Sequence, residues 1–270
     1  MANKTLSVVL LSGKGGVGKT NISLNLACAL FQMGFKNLLM DCDLGLANLD
    51  VLLGITPEGN LQNALLGEAQ IRDVLHHVEP EGFDVLPAAS GVPELTELQP
   101  DMRDVLLARL EPELNRYDYV FMDVGAGISG TVQTFASMAA MRIVVITPEP
   151  TSLTDAYALI KVLKTNHGVE RFRVCVNMAP DQKTAKEMFV RLHQACDHFL
   201  SGVSLELVGV IPRDTGVRKA VVQQLPYCIS EPQSPAAKAT MSLAKNISAW
   251  EAPENLDGNI KFFWKKLLFR

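Results

Sequence analysis

Two lysines, Lys14 and Lys19, lie in the stretch Gly13-Lys14-Gly15-Gly16-Val17-Gly18-Lys19-Thr20. The spacing fits G-x-x-x-x-G-K-[ST], a loop that cradles phosphates when it joins a strand to a helix. Both flanks comply: the apolar run Leu6–Leu11 precedes the loop, and Ile22, Leu24, Leu26, Ala27 and Leu30 follow at helical spacing. Gly13, Gly15, Gly16 and Gly18, with Val17, let backbone N–H groups turn inward around phosphate oxygens, and the helix N-terminus adds its positive end. Lys19 reaches the outer phosphates, and the Thr20 hydroxyl is a ligand for Mg²⁺. Lys14 is surplus to that pattern. A second ammonium on one loop cannot easily fold back onto the same phosphates. Either it is a solvated surface lysine, or it reaches the nucleotide of a facing subunit and offsets transition-state charge in trans.

Acidic residues complete a candidate site. Asp41-Cys42-Asp43 ends a second apolar run, and Asp123 ends Tyr119-Val120-Phe121-Met122. Ligands of open parallel sheets sit beyond the carboxyl ends of the strands. Asp123 therefore has the position of a Mg²⁺-side carboxylate, Asp41 of a supporting one, and Asp43 of the group that orients an attacking water. Gly125 and Gly127 leave room for a backbone amide beside a terminal phosphate, so loss of that phosphate would release the loop. The alternative for each strand-end Asp is an N-cap of the next helix.

The elements that must position these groups follow from hydrophobic patterning. Apolar runs at Leu6–Leu11, Asn37–Asp41, Phe83–Leu86, Tyr119–Asp123, Ile143–Thr147, Phe172–Asn177 and Leu207–Ile211 alternate with helical patterns. Near-continuous hydrophobicity is the mark of parallel strands covered on both faces. The expected fold is α/β, a doubly wound and mostly parallel sheet of seven or eight strands spanning residues 1–250. The chain of 270 residues carries a net charge of −4, which disfavours broad electrostatic binding to nucleic acid. Its five cysteines form no C-x-x-C pair, which points to free thiols in a reducing cytoplasm. The start of the sequence reads as a strand rather than a signal peptide, and no apolar run is long enough to span a membrane. His193, Cys196 and His198 read as a solvated helix face rather than a metal site, Cys42 as a small strand-end residue, and His76-His77 as helix surface.

Residues 251–258 break the pattern with Pro, Gly and acidic residues, and residues 259–270 read as a distinct helix. Ile260, Phe263, Trp264, Leu267 and Leu268 fall on one stripe, flanked by Lys261, Lys265, Lys266 and Arg270. A basic helix of this kind lies in the interface of an anionic membrane, and two copies in a dimer hold far better than one. The alternative is that it packs into its own domain or into a partner's groove.

The double-lysine loop, Asp41-Cys42-Asp43-Leu44-Gly45 through Asp50, and Asp123 with Ala126-Gly127 together resemble the MinD/ParA family of ATPases. Further segments are similar to its flagellar-number branch, FlhG (also called FleN): Leu86 through Gly91, Thr154 through Lys161, and Val208 through Pro212 with Val217-Arg218-Lys219-Ala220. The resemblance implies an ATP- and Mg²⁺-dependent homodimer that turns over slowly, with Lys14 crossing to its partner. It implies that Asn177 and the turn from Pro212 to Asp214 contact the adenine, that Glu149 lies near the dimer interface, and that the tail is a membrane anchor on the inner face of the cell membrane, in some members at the pole. The branch implies restraint of a flagellar transcriptional activator of the FleQ type. The polar GTPase FlhF is a further partner of the branch. Its stimulation is not expected here, since the five residues ahead of the first strand match no activator segment. No Asn-Lys-x-Asp guanine-reading motif occurs, in keeping with ATP. Other readings are the division-site ATPase MinD, an iron–sulfur carrier on the same fold, which lacks the cysteines it needs, and a ParA-type DNA-segregation ATPase, which the acidic balance disfavours.

Overall fold

The computed structural model describes residues 5–43, 49–60, 63, 68–78, 82–87 and 112–250. In chain order the described elements are β1 (Leu6–Leu11), α1 (Lys19–Gln32), β2 (Asn37–Cys42), α2 (Leu49–Leu53), α3 (Ile71–Val74), β3 (His76–Val78), β4 (Phe83–Leu86), β5 (Tyr119–Val124), α4 (Gly130–Met138), β6 (Met141–Ile146), α5 (Pro150–His167), β7 (Arg171–Ala179), α6 (Gln182–Phe199), β8 (Ser204–Pro212), α7 (Thr215–Gln223), α8 (Tyr227–Ser230) and α9 (Pro235–Ser248). The strands form one eight-stranded sheet in the order β3-β4-β2-β5-β1-β6-β7-β8. Every pairing is parallel except β3 with β4.

β1 is buried along its whole length because both sheet faces are covered. Its side chains alternate between two cores. Val9 and Leu11 join the layer of α4, α5 and α6, whereas Leu6, Val8 and Leu10 join the layer of α1, α8 and α9. Each such apolar side chain contributes about 1.5–3 kcal/mol on burial. A central strand so constrained fixes the height at which its carboxyl end delivers the phosphate loop.

The expected apolar strands are all present, with ends shifted by a few residues. β6 begins at Met141, β7 runs over Arg171–Ala179, and β8 over Ser204–Pro212. The expectation of a helix at His76-His77 is corrected: both residues lie in β3, the antiparallel edge strand. His77 stands opposite Asp84, and its Nδ1 lies 2.7 Å from Asp84 Oδ1. Three residues are too short a run to show a strand's period. Cross-strand pairing, not local pattern, decides the element here.

His193 and His198 are exposed on α6, and His198 packs edge-on against the Phe199 ring. Trp250, the last described residue, stacks under the Arg173 guanidinium of β7 at 4.1 Å. The expected linker 251–258 and the expected helix 259–270, with Ile260, Phe263, Trp264, Leu267 and Leu268, lie outside the described residues. Among the described residues no helix is long and apolar enough to cross a membrane.

Candidate functional site

The loop between β1 and α1 stands where the sheet's central strand ends. α1 starts at Lys19, and Gly18 caps it with φ +87°. Only glycine adopts that conformation without strain. Space also demands it, since a Cβ on Gly18 would lie 2.4 Å from Asn177 Nδ2. Gly13 is needed for a different reason: its Cβ would meet the backbone carbonyl of Asp155 in α5 at 2.2 Å. Gly15 and Gly16 have open space beside them, so the crown of the loop faces solvent. Val17 is buried beneath it.

Lys19 and Asp123 are both buried, and Lys19 Nζ lies 3.3 Å from Asp123 Oδ1. The Asp123 carboxyl is nevertheless held above its ordinary range. Burial raises it and outweighs the opposing pull of the Lys19 ammonium and of hydrogen bonds from Thr20 and Lys19. Asp41 is its in-register neighbour across β2 and β5. Asp41 Oδ1 accepts from the Asp43 N–H at 3.0 Å, and Oδ2 from the Leu49 N–H at 3.4 Å, so this carboxylate braces the chain entering α2. The half-buried Asp43 carboxylate faces the next loop, 3.4 Å from where a Gly125 Cβ would stand. Gly127, at φ +93°, donates its N–H to the Ser12 carbonyl at 2.9 Å. Cys42, buried among these groups, has its thiol pushed well up by burial and by the charges of Asp41 and Asp123, against the opposing Lys19.

Lys14 points away from this cluster. Its Nζ pairs with Glu149 Oε2 at 2.6 Å and lies 3.2 Å from the Thr151 hydroxyl. Glu149 is the N-cap residue of α5. On the far side of the loop, Asn177 Nδ2 donates to the Val17 carbonyl at 2.7 Å. Pro212, at the end of β8, is in register with Ala179, and the Arg213 N–H donates to the Ala179 carbonyl at 2.9 Å. The segments from Asn177 to Ala179 and from Pro212 to Arg213 therefore form one wall beside the loop. Asp214 braces that wall. Its Oδ1 accepts from the Gly216 N–H at 2.8 Å and its Oδ2 from the Ala236 N–H at 2.9 Å. Burial would raise this carboxyl, but those two bonds prevail and hold it below its usual range.

An AAA domain family model matches residues 5–172. The chain is 42% identical over 261 residues to the antiactivator FleN of Pseudomonas aeruginosa, covering 97% of this chain and 92% of that one. It is 34% identical over 217 residues to the flagellum site-determining protein YlxH of Helicobacter pylori, covering 80% and 73%. The solved structure of the septum site-determining protein MinD of Pyrococcus horikoshii, complexed with Mg-ADP, matches with a TM-score of 0.70 and 26% identity, covering 91% and 96%. The chain belongs to the MinD/ParA family of ATPases.

In this MinD/ParA ATPase the donor set suits Mg²⁺ held in the company of phosphates. One hydroxyl and one buried carboxylate, Thr20 and Asp123, are hydrogen-bonded to each other, with Asp41 adjacent. A hard cation that keeps waters and phosphate oxygens needs no fuller protein cage. The fold brings Lys19, Thr20, Asp41, Asp43 and Asp123 together on one side of the loop, and sets Lys14 and Glu149 on another. Sequence reasoning missed Thr151 as a partner of Lys14. It also missed Asn177 as a strut of the loop, and Met178, whose φ of +55° sets its Cε 3.6 Å from the Gly18 Cβ position. Only the unusual backbone at Met178 marks such a residue, and that is visible in the folded chain alone.

Proposed function

We propose that this ATPase is a MinD-like switch that controls flagellar number or placement. It binds ATP with Mg²⁺, dimerises through its nucleotide faces, and attaches to the cytoplasmic face of the cell membrane through residues 259–270. In that state it restrains a flagellar transcriptional activator of the FleQ type. The similarity to the antiactivator FleN, spanning 97% of this chain, is the observation that carries the regulatory role. The name of the second relative, a flagellum site-determining protein, agrees with it.

The site supports a division of labour. Backbone amides of residues 13–20 and the Lys19 ammonium hold the phosphates, while Thr20 and Asp123, with Asp41 behind them, hold the cation, which supplies charge neutralisation to the phosphates. Asp43 orients a water for attack on the terminal phosphate. Asn177 and the turn from Pro212 to Asp214 border the base. Lys14 is exposed and reaches the surface, the position from which an ammonium crosses to a facing subunit.

Co-sedimentation with anionic liposomes, with ATP or ADP and with or without residues 259–270, tests the membrane arm. ATP-dependent binding that is lost with the tail is expected; binding indifferent to nucleotide or tail refutes it. Deletion of the gene tests the regulatory arm: altered flagellation is expected, whereas minicells would assign the chain to division-site selection.

A further inference from the structure

Gln133, in α4, touches neither the phosphate loop nor its carboxylates. Its side-chain amide nevertheless joins two segments that border the site. Nε2 donates to the Ile128 carbonyl at 2.8 Å. Oε1 accepts from Asn166 Nδ2 at 3.1 Å and lies 3.0 Å from His167 Nε2. The orientation is forced. A flipped amide would set its NH₂ against that of Asn166, and its oxygen against the Ile128 carbonyl oxygen. Because Oε1 only accepts, His167 Nε2 carries a hydrogen.

The carbonyl held by Gln133 belongs to the residue that follows Gly127. The Gly127 N–H is spent on the Ser12 carbonyl. Offering it to a phosphate requires the peptide units of this loop to rotate. Ser129 is pinned as the N-cap of α4, its hydroxyl accepting from the Val132 N–H at 3.3 Å. The Gly127 N–H lies in the Ala126–Gly127 peptide unit, so its rotation falls between the Ser12 bond and the Ser129 cap, directly ahead of the Ile128 carbonyl that Gln133 holds.

We propose that Gln133 is a positioning residue: it holds the Gly125–Ile128 loop in the arrangement that bonds Gly127 to Ser12, opposes its turn toward a terminal phosphate, and ties that arrangement to the end of α5. The inference rests on the ATP-switch reading above. α5 has 18 residues, so it is about 27 Å long. At its other end stands Glu149, which holds Lys14. One rigid helix thus has an end bonded to each of the two loops that flank the phosphates. A loop turned by a phosphate would release Asn166 and His167 at one end while Lys14 exchanges partners at the other.

Calorimetric titration of the full-length protein tests this, using Mg²⁺ with ADP and Mg²⁺ with a non-hydrolysable ATP analogue. The variants are Gln133→Leu, Gln133→Glu and His167→Phe. Removing one neutral hydrogen bond from the held arrangement shifts the loop equilibrium about fivefold. Both Gln133 variants are expected to bind the triphosphate analogue about fivefold more tightly, with ADP affinity unchanged, because ADP lacks the phosphate the turned loop meets. His167→Phe takes away one of the two neighbours of Oε1 and gives a smaller rise in the same direction. Gln133→Glu keeps its size and its acceptor for Asn166 but cannot donate to Ile128, so it carries the test if the leucine variant fails to fold. An unchanged ratio of the two affinities overturns the proposal, as does a fall in both affinities together, the result of a merely structural role. A wild-type protein that binds neither nucleotide would instead refute the underlying ATP-switch reading.

Discussion

Lys14→Ala separates the two partners open to Lys14. Within one chain its ammonium pairs with Glu149 at 2.6 Å, but the side chains remain 39% and 55% exposed. Solvent screens such pairs, and their worth is about 0.2–1 kcal/mol. A chain of this size loses about 2–4 °C in Tm for each kcal/mol, so the variant should melt at most about 4 °C lower. The effect on the dimer should be far larger. Two Lys14 side chains per dimer, each making a charge-assisted contact of about 1.5–3 kcal/mol to a phosphate, amount to about 3–6 kcal/mol. Their loss raises the dimer Kd by at least about 100-fold. Sedimentation velocity with a non-hydrolysable ATP analogue should show wild-type dimer and variant monomer at equal concentration, while calorimetry shows nucleotide still bound to the variant. A variant that dimerises like wild type refutes the trans role. A variant destabilised by several kcal/mol would show instead that the Glu149 pair holds the fold.

Three further outcomes follow from the site. Gly18→Ala forces a left-handed residue at about 1–2 kcal/mol and displaces the Asn177 bond to Val17, worth about 1 kcal/mol. Urea denaturation should show a loss of about 2–3 kcal/mol together with lost nucleotide binding, and wild-type stability would refute the close approach. Asp123 is raised by burial against the pull of Lys19, so its contribution to stability is greatest below the ordinary carboxylate range and is lost as pH rises through its raised value. The stability of wild type relative to Asp123→Asn should therefore fall as pH rises above the ordinary carboxylate range, and a rise with pH there would contradict the sign. The chain's five cysteines are all buried, and none forms a disulfide. Burial pushes the Cys196 thiol up to about 11, and those of Cys175 and Cys228 up to about 12. A colourimetric disulfide reagent at pH 8, close to the pKa of an unperturbed thiol at about 8.5, should react slowly with the native protein and quickly with all five thiols in denaturant. Any native thiol reacting at the free rate would refute its burial.

Much of this was legible in the residues alone. A phosphate loop is written within eight consecutive positions, Gly13 to Thr20, and its glycines and lysine act through their own backbone and reach. The strands that present Asp41 and Asp123 were legible for the same reason: continuous apolar runs are a local property of a sheet buried on both faces. The one misread element, β3, is an edge of three residues whose pairing partner, not its own pattern, makes it a strand. Other features stayed hidden because they join residues far apart in the chain. Lys14 meets Glu149 across 135 positions, and Asn177 props Val17 across 160. Gln133 reaches from the loop after β5 to the end of α5 through an amide whose residue type announces nothing. Sequence by itself determined the ATPase family and the residue types, a phosphate loop with carboxylates at the strand ends. Only the tertiary structure decided which surplus groups hold that machinery and in which direction each points. Short-range pattern sets backbone conformation, whereas the packing of helices on both faces of one sheet sets every long-range partner.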